Sequence, residues 1–221
     1  MIPGAAHGDN WLLQFLASTV VHNETGVTPG SYAEVRRRAA DYGQQGLPAV
    51  AGAACAPVGD MYPRHMVVDT ALEALKRWVS GDREPAVVPP IRFSAVPDLN
   101  SLVPAFSIPT AFQRDLYGNT LGGLRTPVLD VPVATYIGNS CALLGQTIPS
   151  PLAAVKYRDH TDYITRFADA ADSAVAHGYL LRPDADELLA LACASSIGGG
   201  TTPPGDCPRV TAPSPYERRG D

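Results

Sequence analysis

Residues 115–136 read DLYGNTLGGLRTPVLDVPVATY. Gly118, Gly122, Gly123, Pro127 and Pro132 punctuate the stretch, and its charges are Asp115, Arg125 and Asp130. Gly118 and Asn119 both tolerate positive φ, so Asp115–Asn119 reads as a tight turn. Gly122-Gly123 admits a second close approach of backbone to backbone. Arg125 can form a forked pair with Asp115 or with Asp130. The apolar run Val131–Ile137 follows directly and reads as a strand. Together these features predict a salt-bridged strap held against a core, with its charges turned to structure. Asp115, Asn119 and Asp130 do not have the spacing of an EF-hand calcium loop.

Beyond the strap, residues 138–145 read GNSCALLG. Ser140 comes nearest to a nucleophile elbow, but the G-x-S-x-G pattern needs a second glycine where Ala142 stands. Cys141 lies in an apolar run, where a cysteine is usually a buried thiol. Residues 157–196 predict a helical hairpin. Asp159 or Thr161 caps a first helix reaching His177, with Tyr163, Phe167, Ala171, Ala174 and Val175 facing inward and Gly178 ending it. Pro183 opens a second helix with acidic residues in its first turn and Leu188, Leu189 and Ala192 facing inward. From residue 197 the Gly/Pro-rich segment reads as a mobile tail.

Before the strap, residues 85–110 carry repeated prolines and predict an extended segment with short strand-like pieces such as Ile91-Arg92-Phe93. Residues 63–80, PRHMVVDTALEALKRWVS, predict a helix opened by Pro63 and ended by Gly81. Val67, Ala71, Leu75 and Trp78 form its expected apolar stripe, flanked by Val68, Leu72 and Val79. Residues 44–60 read as loop. Ser31 and Glu34 make a capping box for a helix to about Tyr42, whose Arg36-Arg37-Arg38 reads as a solvated face. Asn23-Glu24-Thr25 fits a glycosylation sequon. Asp9 caps a helix over 10–21 with Trp11, Leu12, Phe15 and Leu16 on one face. Ahead of it, IPGAAHGD at 2–9 is a turn and a run of small residues that delivers His7.

Composition narrows the partners. The chain has 221 residues, 45% of them hydrophobic and 18% charged, with a net charge of −5. It is long enough for one large domain or two small ones. Its 21 prolines are about twice the usual share, which points to much irregular structure around a real core. No basic stripe suggests nucleic acid, and no apolar run reaches the roughly 18 residues of a membrane span. Cys55, Cys141, Cys193 and Cys207 include no C-x-x-C pair, so zinc is not expected. Cys193 and Cys207 can close a Gly/Pro-rich loop in an oxidising compartment, or all four can be buried thiols. His22 and His177 fall near helix C-termini, where a partly charged imidazole is favourable. His65 and His160 fall near helix starts and are expected at the surface. No histidine pair has ligand spacing with a third ligand, so neither metal nor cofactor is expected.

The pattern D-x-x-G-N-x-x-G-G-x-R-x-P-x-x-D-V-P-x-A-T-Y, from Asp115 to Tyr136, resembles the C-terminal part of a mainly bacterial family of α/β-hydrolase-domain proteins that includes serine esterases. Ile2–His7 is similar to that family's catalytic-histidine segment. Cys55-Ala56-Pro57, the helix ending Ala74–Val79, and Gly178–Leu181 agree in order. The resemblance implies an α/β fold and serine-hydrolase chemistry in the chain order Ser, acid, His, with His7 as the catalytic base. Only six residues precede His7, so nucleophile, acid and central sheet have no counterpart here. The expectation is an incomplete α/β-hydrolase C-terminal part: residues 1–196 as the domain portion, with helices, a Pro-rich extended region bearing short strands, and a helical hairpin, and residues 197–221 as the tail. Such a chain contributes His7 and pocket walls for a small ester substrate and is inactive alone. Two other readings stay open. One is a non-catalytic module that pairs with a separate hydrolase half or another partner. The other is an independent enzyme using Ser140 or Cys141 with His160 or His177. Neither compartment nor oligomeric state is legible.

Overall fold

The computed structural model describes residues 62–93, 112–137, 146–150 and 152–217. The elements, in order, are α1 (Arg64–Val79), α2 (Pro127–Asp130), β1 (Ala134–Ile137), β2 (Gln146–Pro149), α3 (Ala153–Lys156), α4 (His160–Ala176) and α5 (Arg182–Ala194). The sheet among the described residues is a two-stranded antiparallel ribbon, with Ala134 opposite Pro149 and Ile137 opposite Gln146.

The hairpin forms where its caps and periodicity place it. The Asp159 side chain accepts from the Asp162 N–H at 2.8 Å, satisfying one of the free donors at the start of α4. Gly178, at φ +71°, turns the chain out of α4. Pro183 sits in the first turn of α5, where its missing N–H has no consequence. Tyr163, Phe167, Ala171, Ala174 and Val175 of α4 are buried against Leu188, Leu189 and Ala192 of α5. Below the hairpin the core continues through Tyr157, Leu129, Ala134 and Tyr136 to Tyr62, Met66 and Val67. Edge-on aromatic contacts knit it, with Tyr157 and Tyr163 centroids 4.9 Å apart and Tyr62 and Tyr136 6.0 Å apart.

Three expectations are corrected. On α1 the buried positions are Met66, Val67, Thr70 and Ala74; of the expected stripe Val67 is buried, whereas Ala71, Leu75 and Trp78 are exposed. The reason is Thr70. Its hydroxyl donates to Met66 O (2.9 Å) and accepts the Leu181 N–H (3.0 Å), so a polar residue sits comfortably on the inward face. The apolar periodicity therefore marks the outward face, where Leu72, Leu75 and Trp78 are 58%, 48% and 54% exposed. His160 is buried, not a surface residue. The segment read as a mobile tail is packed down through residue 217: Val210 and Tyr216 are buried, and a Cys193–Cys207 disulfide closes the loop before them. The helices expected at 10–21 and 32–42 lie outside the described residues.

Candidate functional site

The strap at 112–137 is the best-defined constellation of polar groups. Its turn is built by Asp115. One carboxylate oxygen accepts from the Tyr117 and Asn119 N–H groups, each at 2.9 Å. Gly118, at φ +79°, completes the turn, and its N–H reaches Asp115 O at 3.0 Å. Asn119 is fully buried. Its amide donates to Ala134 O (2.9 Å) and accepts the Tyr136 N–H (2.8 Å), so one side chain ties the turn to β1. The Thr135 hydroxyl donates to Tyr117 O from the same strand.

Gly122 is the close approach that the sequence predicts. Segment 89–93 runs along the strap, with Arg92 N–H on Leu121 O and Gly123 N–H on Pro89 O, both at 3.0 Å. A β-carbon on Gly122 would lie 2.1 Å from Pro90 O. Phe93 bridges to Phe112, which gives the Pro-rich region its strand-like contact.

Arg125 locks the strap. Nε donates to Asp130 at 2.6 Å, and Nη2 lies 3.5 Å from the Asp115 carboxylate. Nη1 donates to Thr120 O (2.7 Å) and Nη2 to Leu129 O (2.6 Å). Both carboxylates named from sequence thus share one guanidinium, whose donors are taken up by the protein. Lys156 was not anticipated. Its ammonium lies 4.4 Å from the Tyr117 ring centroid and 5.2 Å from that of Tyr157. Burial, then Arg166, push it below its ordinary value, while Asp115 and Asp130 act the other way. Burial pushes the Tyr157 phenol up, and its hydroxyl donates to Pro132 O at 3.1 Å. Nothing in the sequence pattern signals the contact of Lys156 with Tyr117 or of Tyr157 with Pro132, because each joins residues distant in the chain.

His7, Ser140 and Cys141 lie outside the described residues. His160 and His177 are placed at opposite ends of α4, about 25 Å apart at 1.5 Å per residue. His160 Nδ1 lies 2.7 Å from Ile197 O; a carbonyl only accepts, so Nδ1 carries the proton. His177 is exposed, with Nδ1 on Ser173 O at 2.7 Å. Among the described residues no group of three His, Cys, Asp or Glu side chains converges to hold a metal, and no helix is long and apolar enough to cross a membrane. The arrangement shapes and supports a fold.

No curated protein and no solved structure matches the chain. A family model described as alpha/beta hydrolase domain matches residues 1–190. The match spans His7, α1, the whole strap and most of the hairpin, and the chain belongs to the α/β-hydrolase-domain family.

Proposed function

We propose that this chain is the C-terminal portion of a serine hydrolase, acting on carboxylic esters, and that it supplies the catalytic histidine, His7. The observation that carries this reading is the family match over residues 1–190, which includes the His7 segment and the strap. No serine in the sequence sits in a G-x-S-x-G elbow, which supports a nucleophile supplied by another part of the hydrolase. In that chemistry the His7 imidazole takes the serine proton as the hydroxyl attacks the ester carbonyl. It then returns the proton to the leaving alcohol.

The test is direct. The purified chain alone should neither hydrolyse p-nitrophenyl esters nor be labelled by a fluorophosphonate. Turnover by the isolated chain, abolished by Ser140→Ala, would instead establish an independent enzyme.

The exposed face of α1 favours a second reading, a non-catalytic module that pairs with a separate hydrolase half. Val68, Leu72, Leu75 and Val79 fall on one stripe and are 42%, 58%, 48% and 80% exposed. An apolar stripe of this length is an interaction surface more often than a solvated one. A cooperative melt of the isolated, monomeric chain supports this module. Dye binding to exposed apolar surface with no melt counts against it.

A further inference from the structure

The C-terminal segment past residue 206 does more than trail from α5. Val210 N–H donates to Asp186 at 2.8 Å. Thr211 and Ala212 N–H both donate to Asp172, at 2.6 and 2.7 Å, and the Thr211 hydroxyl adds a third bond at 3.1 Å. Arg182 reaches back to Val210 O (2.8 Å) and Ala212 O (2.6 Å) and pairs with Glu217 at 2.5 Å. Arg77 of α1 donates to Tyr216 O at 2.5 Å, and the buried Tyr216 ring places its hydroxyl 3.3 Å from Gly178 O. One short segment therefore touches α1, α4, the α4–α5 turn and α5. It lies outside the residues that match the family.

Two covalent paths lead from the hairpin to this segment: the loop from residue 195 and the disulfide. The loop is held where Ile197 O faces His160 Nδ1 at 2.7 Å and where the Thr202 N–H donates to Cys193 O at 2.9 Å, and its remainder is largely exposed. Thr201 and residues 203–206 are exposed, and Gly198 and Gly199 both have positive φ. The disulfide closes it, linking Cys207 to Cys193, which is buried in α5. The first docking bonds begin three residues later, at Val210. We propose that residues 207–217 form a disulfide-dependent clasp that fixes α1 to the α4–α5 hairpin, and that the chain is completed in an oxidising compartment.

The chemistry is thiol–disulfide exchange. The Cys193 and Cys207 thiols each give up a hydrogen to a disulfide-bearing oxidant, through a mixed disulfide; the new S–S bond forms and the oxidant leaves as a dithiol. A reducing dithiol reverses the step, supplying two electrons and two protons. A cross-link over a 14-residue separation favours the closed arrangement on the order of 100-fold over the open loop. Such bonds persist outside reducing compartments.

Arg209 is exposed and lies at the start of the clasp, so trypsin reports on docking. The full chain, purified without reductant and alkylated, should yield Cys193 and Cys207 as one linked peptide by mass spectrometry. Cleavage after Arg209 should be roughly 100-fold slower in this form than after reduction and alkylation. The Cys193→Ser/Cys207→Ser variant should cleave like the reduced protein. Circular dichroism should show the helices retained in both. Free thiols at 193 and 207 in protein recovered from an oxidising compartment would overturn the proposal. So would equal cleavage rates in the oxidised and reduced chains. Loss of all helical signal on reduction would also overturn it, because the disulfide would then hold the whole fold and not a clasp.

Discussion

Gly81 and Gly122 share a φ of +76° but differ in their surroundings. A side chain on Gly81 meets nothing within 4 Å, whereas one on Gly122 meets Pro90 O at 2.1 Å. Gly81→Ala should therefore cost only the left-handed backbone penalty, about 1–2 kcal/mol. Gly122→Ala should cost about 3 kcal/mol or more, since backbone must move as well. Urea midpoints of the two variants check this, and equal losses would sink the close-approach reading. Asn119 makes a second residue-scale case. Asn119→Ala removes the hydrogen bonds that Asn119 gives the buried Ala134 carbonyl and Tyr136 N–H, which should cost about 2–4 kcal/mol at 1–3 kcal/mol per group. A denaturation midpoint within error of the parent would show that water replaces the amide. At this scale the strap's ion pairs were legible, because Arg125 has two carboxylates within reach in sequence. Asn119 was not. Its sequence context marks a turn residue, and only the position of β1 makes it a buried bridge. The candidate base His7 lies outside the described residues, so its sequence assignment rests on the resemblance.

At the scale of elements, the hairpin was legible and the outward face of α1 was not. Caps and glycines are local, so Asp159, Gly178 and Pro183 could be read directly. Which face of a helix is buried depends on its neighbours, and on α1 Leu181 meets Thr70. The charged anchoring of the C-terminal segment was also hidden, since Asp172 and Arg182 find their partners 28 to 40 residues away. That anchoring gives a pH dependence. Burial alone would raise the Asp172 carboxyl, but the Ala212 and Thr211 N–H groups and the Thr211 hydroxyl hold it below 3.8. Arg182 holds Glu217 below 4.5. Both folded values are depressed, so the unfolded chain binds protons first as pH falls. The stabilisation is complete above about pH 4.5–5 and is lost progressively below it. Trypsin is unsuitable there, so pepsin cleavage within 207–217 is the measurement, compared at pH 4.5 and pH 2.5. Asp172→Asn should flatten the difference. An unchanged pH response in that variant would remove Asp172 from the mechanism.

On the scale of the whole molecule, the family was legible because a chain held by glycines and one arginine leaves a long, fixed pattern. The covering of α1 was not legible, because an apolar stripe looks the same in sequence whether the chain itself or a partner buries it. The structure leaves Leu72 and Leu75 about half exposed. If that face meets the nucleophile-bearing half of a hydrolase, the double variant Leu72→Lys/Leu75→Lys should act on pairing alone. Its urea midpoint as an isolated chain should stay within about 0.5 kcal/mol per substitution, as for other surface changes. Esterase activity recovered on mixing with the nucleophile-bearing half should fall at least about tenfold, since lysines in an apolar interface lose more than 1.4 kcal/mol of association. The opposite pattern is equally informative. A loss above about 2 kcal/mol in the isolated chain would mean that this chain's own residues cover the stripe. The outward face of α1 would then belong to its core.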